Sequence, residues 1–199
     1  MSMCKVLCVT SRALVEGDFL TQIEKVAKAG IPVILREKDL PEAEYEKLAQ
    51  KVQSVCEAHG VPLILHTYPE TAKRNGIKRI HLPYQRFLTL TEEEKREFEQ
   101  IGVSVHAVEE AVEAERAGAS YLTAGHIFAT GCKPGLPPRG LTFLREVCQA
   151  VGLPVYAIGG VTPENAASCM EAGAAGVCMM SSLMRTSALS CIYQGLMIV

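Results

Sequence analysis

The sequence predicts a compact (β/α)8 barrel, or TIM barrel, formed by a single domain over residues 1–199. Short apolar runs rich in β-branched residues alternate with amphipathic stretches rich in Ala, Glu and Lys. This alternation is typical of βαβ units and a parallel sheet. The number of runs is the second observation, because eight strands close such a barrel. The predicted strands cover residues 5–10, 31–36, 62–66, 78–82, 103–106, 120–126, 154–158 and 176–181.

Glycines mark the joints at which a predicted helix is followed by a strand. A glycine at this place takes the left-handed conformation that ends a helix. The predicted helix-ending glycines are Gly30, Gly60, Gly102, Gly118, Gly152 and Gly173, with Gly76 as a weaker case. A long helix is predicted for residues 41–59 from its apolar stripe, a mostly charged one for 91–101 and a short one for 69–75.

An open, doubly wound sheet is the alternative architecture, and it would bind a ligand at one crossover between strands. The barrel is favoured because residues with useful chemistry follow most of the predicted strands. The 199 residues suit one domain with a sizeable core, although this length is small for a barrel.

The composition argues against several classes of partner. Hydrophobic residues make up 48% and charged residues 21% of the chain, and the net charge is −2. We therefore expect no nucleic-acid partner and no membrane partner, and no apolar run approaches the length of a bilayer span. The first residues do not resemble a signal peptide, so we predict a cytoplasmic protein. Homo-oligomerisation is left open.

Four of the five histidines follow predicted strands, namely His66, His81, His106 and His126. The active site of a barrel gathers at the carboxyl ends of its strands, so these side chains should share one face. A single histidine there is more often a packed, hydrogen-bonded residue, but four together predict at least one functional histidine. No metal is expected, because no Asp or Glu ends the last three strands and no C-x-x-C pair is present.

Small and polar residues after the seventh and eighth predicted strands indicate a phosphate site. Thr162 and Pro163 are typical of the first residues of a helix, and free N–H groups at helix starts bind anions. Barrels often bind phosphate at this place. The alternative is a pair of ordinary capped turns. The candidate residues are Gly159, Gly160, Ser181 and Ser182, with Lys133 and Arg36 as sources of positive charge.

Five segments together match the pattern of a known superfamily. They are Leu35 to Leu40, Ser104 to Ala111, Gly125 to Lys133, Ala157 to Asn165, and Ala172 to Ser181. On these segments the chain resembles thiamine phosphate synthase and its sister family, the TenI-type thiazole tautomerases, which share a (β/α)8 barrel.

Departures from the synthase pattern favour the tautomerase. The synthase carries Asn-Asp after the third strand and an Asp after the fourth, and it holds Mg²⁺ and pyrophosphate. This chain has His66-Thr67 and Arg86 at those places. Gly125-His126, with the Thr, Cys, Lys and Gly that follow, is similar to the tautomerase. Arg36 and Lys38, in contrast, match the synthase pattern.

The resemblance implies a thiazole tautomerase of thiamine biosynthesis, an isomerase that aromatises a carboxythiazole ethyl phosphate without metal or cofactor. It implies that His126 is the acid/base residue, and an imidazole can take and return a proton at cellular pH. The alternatives are thiamine phosphate synthase, which couples a pyrimidine diphosphate to a thiazole phosphate, and a non-catalytic regulatory or ligand-binding barrel. The predicted residues for substrate and phosphate are Arg36, Lys38, Ser104, His106, Thr130, Lys133, Gly159, Gly160, Ser181 and Ser182, while His66 and His81 have no assigned role.

Overall fold

The computed structural model describes residues 6–131 and 135–185. Eight parallel strands pair in sequential order, and the first strand pairs with the last, so that the sheet closes. The predicted (β/α)8 barrel is confirmed, and the open sheet is wrong. The strands are β1 Val6–Val9, β2 Val33–Leu35, β3 Leu63–His66, β4 Arg79–Pro83, β5 Gln100–Val105, β6 Tyr121–Gly125, β7 Val155–Ile158 and β8 Gly176–Met179.

Helices follow the strands and pack against the outside of the barrel. In the long second helix, Tyr45, Ala49, Val52 and Cys56 are buried at helical spacing. No helix within the described ranges combines the length and apolarity needed to span a bilayer. The helices are α1 Phe19–Lys28, α2 Glu42–Ala58, α3 Pro69–Arg74, α4 Tyr84–Leu88, α5 Glu92–Arg96, α6 Val108–Arg116, α7 Gly140–Ala150, α8 Ala166–Glu171 and α9 Ser181–Arg185.

The barrel interior has its own apolar cluster, made of strand residues alone. Because side chains alternate along a strand, one set fills the barrel and the other packs against the helices. The interior residues are Leu7, Val9, Ile34, Ile64, Tyr121, Tyr156 and Cys178.

The charged helix predicted for residues 91–101 is too long. Helix α5 stops at Arg96, and β5 already begins at Gln100, which pairs with Arg79 of β4. Gly102 therefore lies inside a strand and does not end a helix. Gly152 is not among the glycines with positive φ either, whereas the predicted positions Gly30, Gly60, Gly76, Gly118 and Gly173 all have positive φ.

The helix predicted to begin at Thr162 begins later. Residues 163–165 form a turn, and α8 starts at Ala166. The reason is local, because the side chain of Asn165 turns back and its Oδ1 accepts a hydrogen bond from the Thr162 N–H at 2.8 Å. This N–H is therefore used within the turn.

Candidate active site

A cavity of about 440 Å³ opens at the carboxyl ends of the strands. Strand ends converge there in a barrel, so residues distant in the sequence meet. All the predicted site residues that the structure describes line this cavity, and Lys133 lies outside the described residues. They are Arg36, Lys38, Ser104, His106, His126, Thr130, Gly159, Gly160, Ser181 and Ser182, and His66 joins them. Their roles stay predictions.

His126 follows β6 directly and is only 6% exposed. Its Nε2 lies 3.3 Å from the carbonyl oxygen of Leu136. A carbonyl only accepts hydrogen bonds, so Nε2 carries the proton of the neutral ring and Nδ1 keeps the lone pair. Nδ1 is buried and has no hydrogen-bond partner among the described residues. A buried lone pair beside a ligand cavity has the properties that a general base needs.

Gly159 and Gly160 let the end of β7 pass close to the segment that carries His126. Their φ angles are +94° and +67°. A Cβ on Gly159 would lie 2.3 Å from the Cβ of His126, and a Cβ on Gly160 would lie 2.4 Å from the carbonyl oxygen of Ala129. The predicted phosphate loop therefore also places the histidine.

Arg36 and Lys38 come from the loop after β2, and a buried carboxylate between them holds this loop. Glu37 is 4% exposed. It accepts hydrogen bonds from the Thr10 hydroxyl at 2.7 Å and from the backbone N–H of Arg12 at 3.1 Å. Arg36 and Lys38 line the main cavity while Glu37 does not, so the loop offers the cavity positive charge.

His106 and His66 also line the cavity, in different surroundings. Nδ1 of His106 lies 2.7 Å from the carbonyl oxygen of Gly125, so that nitrogen donates and Nε2 holds the lone pair of the neutral ring. Burial, followed by the neighbouring His81 and the charges of Arg36 and Lys38, lowers the pKa of His66 well below its usual value. His66 is therefore a neutral ring at pH 7.

His81 lies deeper, is 3% exposed and does not line the cavity. Its Nδ1 lies 3.0 Å from the Tyr121 hydroxyl, and its Nε2 lies 2.8 Å from the Ser104 hydroxyl. Burial lowers the pKa of His81 to about 3. Both ring nitrogens are thus engaged, and the ring is neutral.

The donor set of the cavity does not fit Mg²⁺. No Asp or Glu lines it within residues 6–131 and 135–185, and Glu37, which lines a smaller cavity beside it, is bound to Thr10 and Arg12. Arg86 lies on α4, bonds to Thr89 at 2.7 Å and does not line the cavity. No group of three or more metal-ligating side chains occurs in the described part of the chain. Mg²⁺ is usually bound through carboxylates, so these residues would hold it poorly.

The fold and the site define a (β/α)8-barrel protein with its ligand cavity at the carboxyl ends of the strands. Residues 6–183 match the TMP-TENI family, described as thiamine monophosphate synthase, and the chain belongs to this family. Thiamine-phosphate synthase 2 of Streptococcus pneumoniae is 34% identical over 170 residues, which are 84% of this chain and 81% of that protein. Thiamine-phosphate synthase of Syntrophomonas wolfei is 35% identical over 187 residues, covering 90% of this chain and 88% of that protein.

A solved structure shows the same fold. Thiamine phosphate pyrophosphorylase from Pyrococcus furiosus superposes with a TM-score of 0.82 at 24% identity, covering 98% of this chain and 94% of the other. Both sequence relatives carry the name of the synthase, which was the alternative prediction, and neither carries the name of the tautomerase. The comparisons thus support the superfamily and favour the synthase name.

Proposed function

We propose that this protein is a metal-independent thiazole tautomerase that aromatises a carboxythiazole ethyl phosphate through His126. The observation that carries the proposal is the buried Nδ1 of His126, which has no hydrogen-bond partner among the described residues. His126 lines a cavity whose described lining contains cations, hydroxyls and histidines but no carboxylate. Such a site is suited to moving a proton and poorly suited to holding a hard cation.

The proton transfer has two halves. Nδ1 of His126 takes a proton from a ring carbon, and the electron pair of that C–H bond enters the ring. The imidazolium then returns a proton to the far end of the conjugated system, which leaves the ring aromatic and the enzyme unchanged. The carbonyl of Leu136, 3.3 Å from Nε2, stabilises the transient positive charge on the imidazolium.

The remaining lining groups would bind the substrate. Hydroxyls of Thr130, Ser181 and Ser182, together with the backbone at Gly160, are suited to the phosphate oxygens. Arg36 can pair with the carboxylate through a charge-assisted hydrogen bond. Apolar side chains complete the lining and suit a flat heterocycle, namely Val9, Ile158 and Met180.

Thiamine-phosphate synthase is the second candidate. It is favoured by the names of two relatives that are 34% and 35% identical to this chain, and by the cations Arg36 and Lys38 in the cavity. The donor set described above weighs against it, because the resemblance links that reaction to Mg²⁺. We therefore place it behind the tautomerase.

One set of assays separates the two reactions. We expect the non-aromatic carboxythiazole ethyl phosphate to be converted to its aromatic isomer at the same rate with and without EDTA. We expect His126→Gln to lower turnover by about 10²–10⁴-fold while still binding the aromatic product. His59→Gln, at the end of α2 and outside this cavity, is the control and should keep full turnover.

Two results would overturn the proposal. The first is Mg²⁺-dependent coupling of a pyrimidine diphosphate to a thiazole phosphate without any tautomerisation, which would establish the synthase. The second is binding of the product without either reaction, which would indicate a regulatory or ligand-binding barrel.

A further inference from the structure

A buried chain of hydrogen bonds runs across β4, β5 and β6 and ends at a residue of the cavity. In the sheet, His81 pairs with Gly102, and Gly102 pairs with Tyr121. A Cβ on Gly102 would lie 2.1 Å from Cζ of Tyr121 and 2.5 Å from Nδ1 of His81. The missing side chain therefore lets the histidine and the tyrosine meet over the middle strand.

One row further along the same strands, Ser104 pairs with Thr123. The Ser104 hydroxyl lies 2.8 Å from Nε2 of His81 and 3.1 Å from the Thr123 hydroxyl. Ser104 lines the cavity, whereas His81 and Thr123 do not. Ser104 is thus the point at which this buried chain reaches a ligand.

The position of the proton on the His81 ring follows from the hydrogen bond that the buried Tyr121 hydroxyl has to donate. The tyrosine hydroxyl is buried, and His81 is its hydrogen-bond partner among the described residues. If Nδ1 carried the proton, the hydroxyl proton of Tyr121 would be buried without an acceptor, which is unfavourable. Tyr121 therefore donates to Nδ1, and Nε2 of the neutral ring carries the proton and donates to Ser104.

The second hydrogen bond to Ser104, from Thr123, also has only one possible direction. Thr123 is 1% exposed, and Nε2 of His81, at 3.4 Å from its hydroxyl, is already protonated. The Ser104 oxygen is then the acceptor open to the Thr123 proton. Both lone pairs of Ser104 are then occupied by hydrogen bonds. Its own O–H therefore has to point toward the cavity.

We propose that Ser104 is an obligatory hydrogen-bond donor to the bound ligand, and that His81 is the positioning residue that enforces this direction. The ligand must then present an acceptor beside the end of β5, either a carboxylate oxygen or an unprotonated ring nitrogen. A ligand with an N–H or O–H at that point meets a second donor and is rejected. The ligand side of this inference rests on the proposed function, since a carboxythiazole offers both kinds of acceptor.

The first test needs no ligand. Long-range ¹H–¹⁵N NMR spectra of protein labelled with ¹⁵N-histidine report which ring nitrogen is protonated, and His81→Gln assigns the signal. We expect Nε2 of His81 to carry the proton at pH 7. A ring protonated at Nδ1 overturns the inference whatever reaction the protein catalyses.

The second test measures binding of the aromatic carboxythiazole ethyl phosphate by calorimetry. We expect Ser104→Ala to weaken binding about tenfold, as loss of one hydrogen bond to a charged group predicts. His81→Phe keeps a flat ring but removes the N–H, so Ser104 can turn inward and binding should weaken similarly. His81→Gln restores an N–H near the position of Nε2 and should recover most of the affinity.

Wild-type affinity in Ser104→Ala would overturn the donor role. If His81→Phe does not fold, the NMR result and the Ser104→Ala titration still decide the question. Absence of turnover in the wild-type protein would count against the proposed function alone, because the protonation state of His81 is measured without substrate.

Discussion

Two buried histidines lie on different sides of the barrel, and they differ in their hydrogen bonds. His81, on the β4–β5 side, is 3% exposed and has a partner on each ring nitrogen. His126, on the β6–β7 side, is 6% exposed, and its Nδ1 has no partner among the described residues. Burial therefore does not distinguish these two histidines, whereas the number of hydrogen-bond partners does.

The difference originates in how far each residue lies along its strand. His81 is in the middle of β4, level with Gly102 and Tyr121, where β5 and β6 supply a partner for each ring nitrogen. His126 lies one residue beyond the end of β6, where the described residues supply the carbonyl oxygen of Leu136 for Nε2 and no partner for Nδ1. Reactivity is thus expected at the rim, and hydrogen-bonded support one layer below.

The largest expected effect comes from breaking the His126 side. Gly159→Ala would place a methyl group 2.3 Å from the Cβ of His126, so the ring must shift. A displacement of about 1 Å in a catalytic group can lower turnover by about 10²-fold. Steady-state kinetics on the proposed thiazole substrate would measure this loss.

Gly118→Ala is the matched control for that change. Gly118 has a similar φ of +89°, but a Cβ there has no atom within 4 Å. It should therefore lower the free energy of unfolding and leave kcat unchanged. Equal losses of kcat in the two variants would show that backbone strain, and not displacement of His126, is responsible.

The second-largest expected effect is a loss of stability at low pH, caused by the buried neutral ring of His81. Burial lowers the pKa of His81 to about 3, whereas an unfolded histidine titrates near ~6.5. Below the pKa of the unfolded residue, the unfolded chain binds a proton that the folded protein does not bind. The free energy of unfolding therefore falls as the pH falls. The free energy of unfolding should drop by about 1.4 kcal/mol per pH unit from this residue.

Urea unfolding between pH 7 and 5 measures this dependence, and burial gives His66 a lowered pKa with the same sign. His81→Gln cannot be protonated, so its stability should depend less steeply on pH over the same range. Parallel pH profiles for the two proteins would contradict the assignment of His81 as a buried neutral ring.

The smallest expected effect concerns Arg36, in the charged loop after β2. Arg36→Ala should raise KM about tenfold with little change in kcat, because it removes a charge that we propose binds substrate and transition state alike. It should also raise the pKa of His66, since the Arg36 charge lowers that pKa. A histidine titration by NMR measures the second change.

Arg79→Ala is the control, because Arg79 lies at the start of β4, 3.6 Å from Glu99, and does not line the cavity. It should change neither KM nor the pKa of His66. An unchanged KM in Arg36→Ala would remove Arg36 from the substrate site.

Much of the fold could be predicted from the sequence, because strand and helix periods are local properties. All eight predicted strands are present, although their ends moved by up to three residues. Convergence at the strand ends followed from topology alone, which is why the described candidate residues meet in one cavity.

Other features depend on long-range register, which periodicity does not report. Gly102 resembled a helix end in the sequence, but its role depends on Tyr121, which lies beside it only once β5 and β6 pair. The contact between the Leu136 carbonyl and His126 could not be predicted either. Every residue has a backbone carbonyl, and only the path of the loop brings this one to His126. The partners of His81 could not be predicted for the same reason, which is why that residue had no predicted role.

The space above Gly102 is shared by three strands, so its occupancy is a joint property of several positions. Enlarging residue 102 alone would collide with Tyr121 and His81, and shrinking Tyr121 alone would leave an empty pocket in the barrel interior. Any programme of directed evolution that reshapes this part of the barrel interior should therefore randomise positions 81, 102 and 121 together. Libraries that vary one position at a time would discard the productive combinations at the first step.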